Sequence, residues 1–255
     1  MQKLASTKVH LALAALLAVF AAGCDDGGGD DTGDMGNTGG TGGGGENIPP
    51  GVVIGDFETE SDMPGVYTGY FKDEAQGWEI AWFTYTDMTA GATITPAEGG
   101  TFTATQDTRD GAATWVGKMT GTGFSTWGAG MGFNMKIGTP PGAVNLSAYK
   151  GIGFWMKANV PVRVKVVDVQ TTPPDRGGTC DSTAGACDNN FGFQLSPTSA
   201  DWEYYTVTWE QLTQETWASQ MFPAGPQRDQ VIGFQWQVKN GTTFDVAVDD
   251  VRLLQ

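Results

Sequence analysis

Residues 231–254 read VIGFQWQVKNGTTFDVAVDDVRLL, two runs of alternating apolar residues on either side of Asn240-Gly241. Such alternation predicts two β-strands, and Asn-Gly between strands is typical of a type I′ hairpin turn. With a two-residue turn, Trp236 lies opposite Asp245 and Ile232 lies opposite Asp249, each pair on a shared face. The segment therefore predicts an antiparallel hairpin.

Asp249 does not suit this hairpin well. On the predicted register it shares a face with Ile232 and Trp236, which favours an inward-pointing carboxylate. Val246 and Val248 then lie on the opposite face, so the two strands disagree about which face is buried. Either there is a β-bulge, or the sheet is covered on one face and has an apolar floor on the other.

A buried carboxylate at Asp249 needs a proton, a salt bridge or a metal ion. The chain has 14 Lys and Arg residues against 29 Asp and Glu residues, which favours a hard cation with oxygen ligands. Asp56 and Glu58, on either side of Phe57, are candidate ligands near the other end of the folded part. The alternatives are a salt bridge with Arg252 and a solvated sheet edge.

Short alternating runs with Gly, Pro, Asn or Asp between them recur along the chain. They predict an all-β sandwich or barrel. The helix signal is confined to 209–220, where Thr208 and Gln211 have the spacing of a capping box. The predicted strands are 52–58, 77–86, 101–107, 113–120, 130–137, 151–158, 162–170, 191–196, 202–209, 231–238 and 244–254.

The N-terminal segment, residues 1–23, has the pattern of a secretory signal peptide, with two lysines, a short apolar run and small residues. Ala-Ala-Gly-Cys at its end resembles the bacterial lipobox, which implies a lipid on Cys24; the alternative is an ordinary secreted protein with a spare thiol. Residues 24–50, rich in Gly and Asp, predict a disordered tether. Residues 51–255 then form one domain.

The composition excludes several classes of function. The net charge of −15 argues against nucleic acid as a partner. His10, the only histidine, belongs to the signal peptide, which excludes histidine-dependent nucleophilic catalysis and the common zinc sites. Cys180 and Cys187 predict a disulfide in an oxidising compartment, with two free thiols as the alternative.

Four segments carry a resemblance to a known family: DFE at 56–58, GIGFWMKA at 151–158, DWEYYTVTWEQL at 201–212 and FDVAVDDVRLL at 244–254. They resemble the galactose-binding-like jelly rolls, most of all carbohydrate-binding module family 11 and its relatives. The resemblance implies an all-β, two-sheet antiparallel jelly-roll sandwich with one short helix. It also implies a structural Ca²⁺ that joins the first and last strands. The matching calcium positions are Glu58 and Asp249, with Asp56 as a further candidate.

A glycan site needs aromatic platforms for sugar rings and planar polar side chains for hydroxyl groups. Trp155 lies opposite the apolar face of its predicted strand, Trp127 is flanked by a glycine-rich loop, and Trp217 lies near the end of the predicted helix. For each of them, packing in the core is the alternative. The full candidate set is Trp127, Trp155, Trp217, Gln235, Gln237 and Asp168, where Asp168 is either a polar contact or a ligand of an ion.

Three functions are consistent with these features. The first is a non-catalytic carbohydrate-binding lipoprotein that holds a polysaccharide of the β-glucan or xylan class at the bacterial cell envelope, with the outer membrane or cell surface favoured. The second is a jelly-roll structural or interaction module without sugar binding, whose partners are other envelope proteins. The third is a glycosidase that uses two carboxylates.

Overall fold

The computed structural model describes residues 48–185, 187–197 and 199–255. The predicted signal peptide, the lipidation site at Cys24 and residues 24–47 of the tether lie outside this part. None of the described residues lies in a helix with the length and hydrophobicity of a membrane span.

The described residues form thirteen strands, and all strand pairs within the sheets are antiparallel. Every predicted strand overlaps an observed one, while β2 and β4 have no predicted counterpart. The strands are β1 (Gly51–Gly55), β2 (Phe71–Asp73), β3 (Trp78–Thr86), β4 (Thr93–Thr95), β5 (Thr105–Arg109), β6 (Ala112–Thr122), β7 (Ala129–Asn134), β8 (Gly151–Ala158), β9 (Val162–Asp168), β10 (Phe191–Leu195), β11 (Glu203–Thr208), β12 (Val231–Val238) and β13 (Phe244–Leu254).

The strands form two sheets that enclose one core. The larger sheet has the order β11-β8-β13-β6-β4, with β1 beside β13 and β5 beside β6. The smaller sheet has the order β10-β9-β12-β7-β3-β2. Phe154 of the larger sheet meets Trp236 of the smaller one edge to face, with ring centroids 5.2 Å apart. The fold is therefore an all-β antiparallel sandwich, as the sequence predicts.

The predicted hairpin of β12 and β13 is wrong. β12 pairs with β7 and β9, whereas β13 pairs with β6 and β8 in the other sheet. Residues 239–243 form the link and can span about 16 Å when extended, more than the ~10 Å between packed sheets. Asn240-Gly241 still makes a turn, with Gly241 at φ +78°, but this exposed turn connects the two sheets instead of two neighbouring strands.

The bulge in the last strand is confirmed. The register of β13 against β8 shifts between Asp249 and Arg252, and Asp250 has φ +48°. One inserted residue reverses the alternation, so Val248 and Val251 both belong to the core. Asp249 shares the outer face with its partner Trp155. The carboxylate is buried, but it does not point into the core as predicted.

The sequence predicts a helix over 209–220, but the chain forms only one 3₁₀ turn there, Trp209–Gln211. Its capping box is present, since the Thr208 amide donates to Gln211 Oε1 at 2.8 Å. The chain then leaves the helical path because Thr213 forms a two-way backbone bridge with Gly192 at the edge of β10. Two further 3₁₀ turns lie at Pro174–Arg176 and Ser182–Ala184.

Candidate functional site

The outer face of the six-stranded sheet carries a cleft of about 880 Å³. Strands β9, β12, β7 and β3 lie side by side, so their outward side chains form rows across this face. Each row runs from a cation on β9 through an amide on β12 and a glycine on β7 to an aromatic ring on β3. The rows are Lys165, Gln235, Gly132 and Phe83, and next to it Arg163, Gln237, Gly130 and Tyr85.

The two glycines of β7 let neighbouring side chains lie across the middle of the cleft. A Cβ atom on Gly130 would lie 2.5 Å from the Tyr85 ring, and one on Gly132 would lie 2.9 Å from Gln235 Cγ. Side chains at these positions would displace both neighbours. Gln235 and Gln237, predicted at the rim of a glycan site, thus lie on the floor of the cleft.

Aromatic rings form the β3 side of the cleft. The Tyr85 and Trp127 rings are stacked with centroids 5.9 Å apart, and Trp127 is 41% exposed. The Tyr85 hydroxyl oxygen is buried without a hydrogen-bond partner in the described part of the chain, and burial raises its pKa. The predicted platform at Trp127 therefore lies in the cleft beside a second ring.

Asp87 holds the loop that carries Trp127. Its Oδ2 atom accepts from the backbone amides of Thr126, Trp127 and Gly128 at 2.8 to 3.0 Å. Burial alone would raise the pKa of Asp87, but these hydrogen bonds and those from Thr89 hold it well below its usual range. The carboxylate stays ionised, which fixes the position of the indole.

Lys165 forms the opposite side of the cleft floor, on β9. It is 8% exposed, and no carboxylate of the described residues lies within 4.0 Å of its ammonium group. Burial lowers the pKa of Lys165 to about 8, while Glu215 partly opposes the change. A buried cation facing a cleft without a partner in the protein is a costly arrangement.

Trp217 lies on the β10 flank of the cleft and is 57% exposed. The segment before it is fixed by Asn189, whose Oδ1 accepts from the Glu215 amide at 3.0 Å and whose Nδ2 donates to the Glu215 carbonyl. Trp127 and Trp217, both predicted platforms, thus lie on opposite flanks of one cleft.

The loop between β9 and β10 forms the wall near Trp217. The predicted disulfide between Cys180 and Cys187 is present, with Cα atoms 5.6 Å apart. Arg176 donates to both carboxylate oxygens of Asp188 at 2.6 and 2.7 Å. Cys187, Asp188 and Arg176 line the cleft, so the cross-linked loop shapes its wall.

Asp168 does not enter the cleft, which corrects its assignment as a sugar contact. It is fully buried, and its carboxylate accepts from the Thr171 amide at 3.0 Å, from Gln170 Nε2 at 2.8 Å and from the Gln227 amide at 2.8 Å. Asp168 is thus a hydrogen-bond centre that holds the start of the wall loop.

Trp155 also lies elsewhere, and its expected exposure is wrong. It is 8% exposed, on the outer face of the seven-stranded sheet. The Arg109 guanidinium lies 5.2 Å from its ring centroid, and the Tyr204 ring meets it edge to face. Because these side chains cover the indole, Trp155 offers no free face to a ligand.

Arg109 is the counterion of the buried carboxylate at Asp249. Its Nη1 atom pairs with Asp249 and its Nη2 atom pairs with Asp250 at 2.6 Å. The salt bridge that the sequence allowed thus involves Arg109 and not Arg252. Burial and the nearby charge of Asp250 together raise the pKa of Asp249 to about 7, although Arg109 opposes the change.

The predicted calcium ligands are only partly brought together. Thr114 Oγ1 donates to both Glu58 and Asp249, at 2.9 and 3.0 Å, whereas Asp56 accepts from the Glu58 amide at 3.3 Å. No three acidic, His or Cys side chains among the described residues are placed to hold one metal ion. Of the three predicted ligands, Asp249 pairs with Arg109, and calcium binding stays a prediction.

The residues that sequence reasoning missed are Lys165, Phe83 and Tyr85. The signal in β9 was visible, because Arg163 and Lys165 alternate with three valines and must share the outer face. What the sequence did not show is that β9 and β3 flank the same cleft, since Lys165 lies 79 positions after Thr86, the last residue of β3 (165 − 86).

Comparison with known proteins gives matches at the level of structure alone: no protein-family model and no curated sequence matches the chain. The fold is similar to a family 11 carbohydrate-binding module of a cellulosomal cellulase of Clostridium thermocellum, with 13% identity, a TM-score of 0.48 and coverage of 81% of this chain and 95% of that one. A family 11 module from the same organism, in complex with a β-1,3-1,4-mixed-linked tetrasaccharide, has 13% identity, a TM-score of 0.43 and coverage of 68% and 88%. A family 29 module complexed with cellulohexaose has 14% identity, a TM-score of 0.34 and coverage of 81% and 92%.

Proposed function

We propose that this protein is a non-catalytic carbohydrate-binding protein and that the cleft on the six-stranded sheet holds a polysaccharide chain. The observation that carries the proposal is the convergence of aromatic rings and planar amides on one cleft. Trp127 and Trp217 are exposed on its flanks, and Gln235 and Gln237 lie on its floor. Rings stack on the apolar faces of sugars, and amides bind their hydroxyl groups.

The width of the cleft favours a chain over a single sugar. Adjacent strands lie about 4.8 Å apart, so the three spacings from β9 to β3 amount to about 14 Å. The flat ring pair of Tyr85 and Trp127 suits equatorially linked pyranoses, which supports the β-glucan or xylan class. We further propose a lipid on Cys24 as the link to the bacterial envelope, with the outer membrane or surface favoured.

The test is isothermal titration of the purified protein with β-glucan, xylan and mannan oligosaccharides. We expect saturable binding that weakens about tenfold or more in Trp127→Ala and in Trp217→Ala, because each ring contributes about 1–3 kcal/mol of stacking and burial. Trp155→Phe is the matched control, since Trp155 is covered on the other sheet, and it should leave the affinity unchanged.

Binding that survives loss of both exposed indoles would move the site elsewhere. Absence of binding to every oligosaccharide would favour the interaction module, whose partner would then occupy the same exposed rings. Shortened products after incubation would favour the glycosidase. The cleft does contain Glu98, Asp188 and Glu215, but each contacts a cation or a hydroxyl group.

A further inference from the structure

The cleft has a charge pattern that a neutral polysaccharide leaves unused. Its charged lining residues are Glu98, Lys165, Arg176, Asp188 and Glu215. Arg176 and Asp188 neutralise each other at 2.6 Å, and Glu98 accepts from the Thr86 hydroxyl. This leaves Lys165 and Glu215 to be accounted for.

Glu215 is directed to other cations. Its Oε2 atom lies 4.0 Å from Arg163 Nε, and its Oε1 atom lies 3.8 Å from Lys239 Nζ. The charge of Glu215 acts on Lys165 at longer range and raises its pKa. No carboxylate of the described residues lies within 4.0 Å of the Lys165 ammonium group. Glu98 also has no cation within 4.0 Å among the described residues, but it is exposed to solvent. Lys165 is therefore the buried charged group of this cleft that has no counterion in the described part of the chain.

The position of Lys165 makes this unpaired charge available to a ligand. The side chain is more than nine-tenths buried and faces the cleft floor, where it lies beside Gln235 in the same row. Arg163, two residues earlier on the same face of β9, adds positive potential. A buried cation is stabilised when an anion enters with geometry suited to hydrogen bonds.

The aromatic rings lie at the other end of the same rows. Phe83 shares the row of Lys165, three strand spacings away, and Tyr85 with its stacked Trp127 belongs to the next row. One ligand that fills the cleft must therefore present an apolar ring face at one end and a negative group at the other.

From this arrangement we propose that the cleft selects an acidic polysaccharide, with a uronic acid carboxylate of the chain bound at Lys165. The inference rests on the proposed carbohydrate-binding function and narrows its substrate class. A uronic acid differs from a neutral hexose by a carboxylate in place of the hydroxymethyl group. One sugar unit of the chain can therefore stack its pyranose face on Tyr85 and Trp127, while a uronic acid unit further along the same chain supplies the counterion that Lys165 lacks among the described residues.

The test compares two oligosaccharides of one length, a β-1,4-glucan oligomer and the β-1,4-glucuronan oligomer obtained by oxidation of its C6 hydroxyl groups. Isothermal titration of the purified protein should show the acidic oligomer binding about tenfold more tightly, the gain expected of one charge-assisted hydrogen bond. Lys165→Met should abolish the difference, and Lys165→Arg should retain it. Lys118→Met is the control for loss of one charge, because Lys118 lies on the other sheet beside Asp245.

Thermal unfolding shows whether Lys165→Met is still folded, so that a change in its affinity can be assigned to the lost charge. Because Lys165 is a buried cation without a counterion among the described residues, Lys165→Met should unfold at the wild-type temperature or above it. If the wild type binds the neutral oligomer as tightly as the acidic one, or more tightly, the acidic specificity is overturned while carbohydrate binding stands. If neither oligomer binds, the proposed function and this inference fail together.

Discussion

At the scale of single residues, Arg109 is the side chain on which the last strand depends. It binds two consecutive carboxylates, Asp249 and Asp250, and its guanidinium lies over the Trp155 ring. Asp249 is 1% exposed, so without Arg109 it becomes a buried charge with hydroxyl and amide donors alone. Breaking a buried pair from one side is strongly destabilising.

We expect Arg109→Met to lower the free energy of unfolding by about 3–5 kcal/mol at pH 8. The pKa of Asp249 in the folded state is about 7, above the ordinary aspartate value of 3.8. The folded state therefore binds more protons in this interval, and the stability that this group contributes falls as the pH rises from about 4 to about 7. At pH 5 the unpaired Asp249 is protonated, so the loss should be smaller. Urea unfolding at both pH values measures this difference.

Lys72→Met is the matched control, because the Lys72 pair with Glu74 is exposed and should contribute less than about 1 kcal/mol. An equal loss for Arg109→Met at pH 5 and pH 8 would contradict the account of Asp249. The same unfolding curves with calcium and with chelator test the calcium prediction. Stabilisation by calcium that disappears in Asp249→Asn would restore a metal ion to this position.

At the scale of elements, the cross-linked loop between β9 and β10 determines one wall of the cleft. The disulfide closes a loop with a sequence separation of 7 residues, and Cys187 and Asp188 lie directly on the cleft. Asp168 holds the start of the loop, and Asn189 ties its end to Glu215. This wall is therefore held in place by the disulfide and by the hydrogen bonds of Asp168 and Asn189.

We expect the double variant Cys180→Ser, Cys187→Ser to lose about 2 kcal/mol of stability, because a short closed loop removes little entropy from the unfolded chain. Its affinity for oligosaccharides should also fall, since the wall that carries Asp188 becomes more mobile. Thermal unfolding and titration measure the two effects. An unchanged affinity would show that Asp168 and Asn189 are sufficient to hold the wall.

Another element, β13, shows what a local sequence pattern can indicate and what it cannot. The apolar residues change phase between Val248 and Val251, and the sequence leaves a bulge as one of two explanations for the disagreement between the strands. Two Asp residues occupy the break because both side chains point to the outer face or its edge, where Arg109 meets them. The sequence could not name Arg109, since 140 residues separate it from Asp249.

At the scale of the whole molecule, the outer faces of the two sheets differ. Arg109 and Tyr204 cover Trp155 on the seven-stranded sheet, whereas the six-stranded sheet has an open cleft between Trp127 and Trp217.

The proposed tether gives a prediction for the full-length protein produced in a bacterium. It should partition with detergent micelles because acyl chains on Cys24 anchor it to membranes, and Cys24→Ser should shift it to the aqueous phase. Detergent phase separation followed by mass measurement of the N-terminal peptide decides the matter. A wild-type protein in the aqueous phase with a free thiol would support an ordinary secreted protein.

The sequence by itself determined the all-β class, the positions of most strands, the disulfide and the phase break in β13. These features depend on alternation, turn residues and pairs close in the chain, so they are encoded locally. Four of the six predicted sugar contacts, Trp127, Trp217, Gln235 and Gln237, line one cleft. The outward positions of Gln235 and Gln237 follow from alternation in β12, whereas Trp127 and Trp217 lie in loops. Tertiary structure alone decided that β12 and β13 belong to different sheets, that Trp155 is covered and that Lys165 faces the aromatic rings of β3. Which strands pair depends on the burial of apolar faces from the whole chain, so no local sequence pattern predicts the pairing.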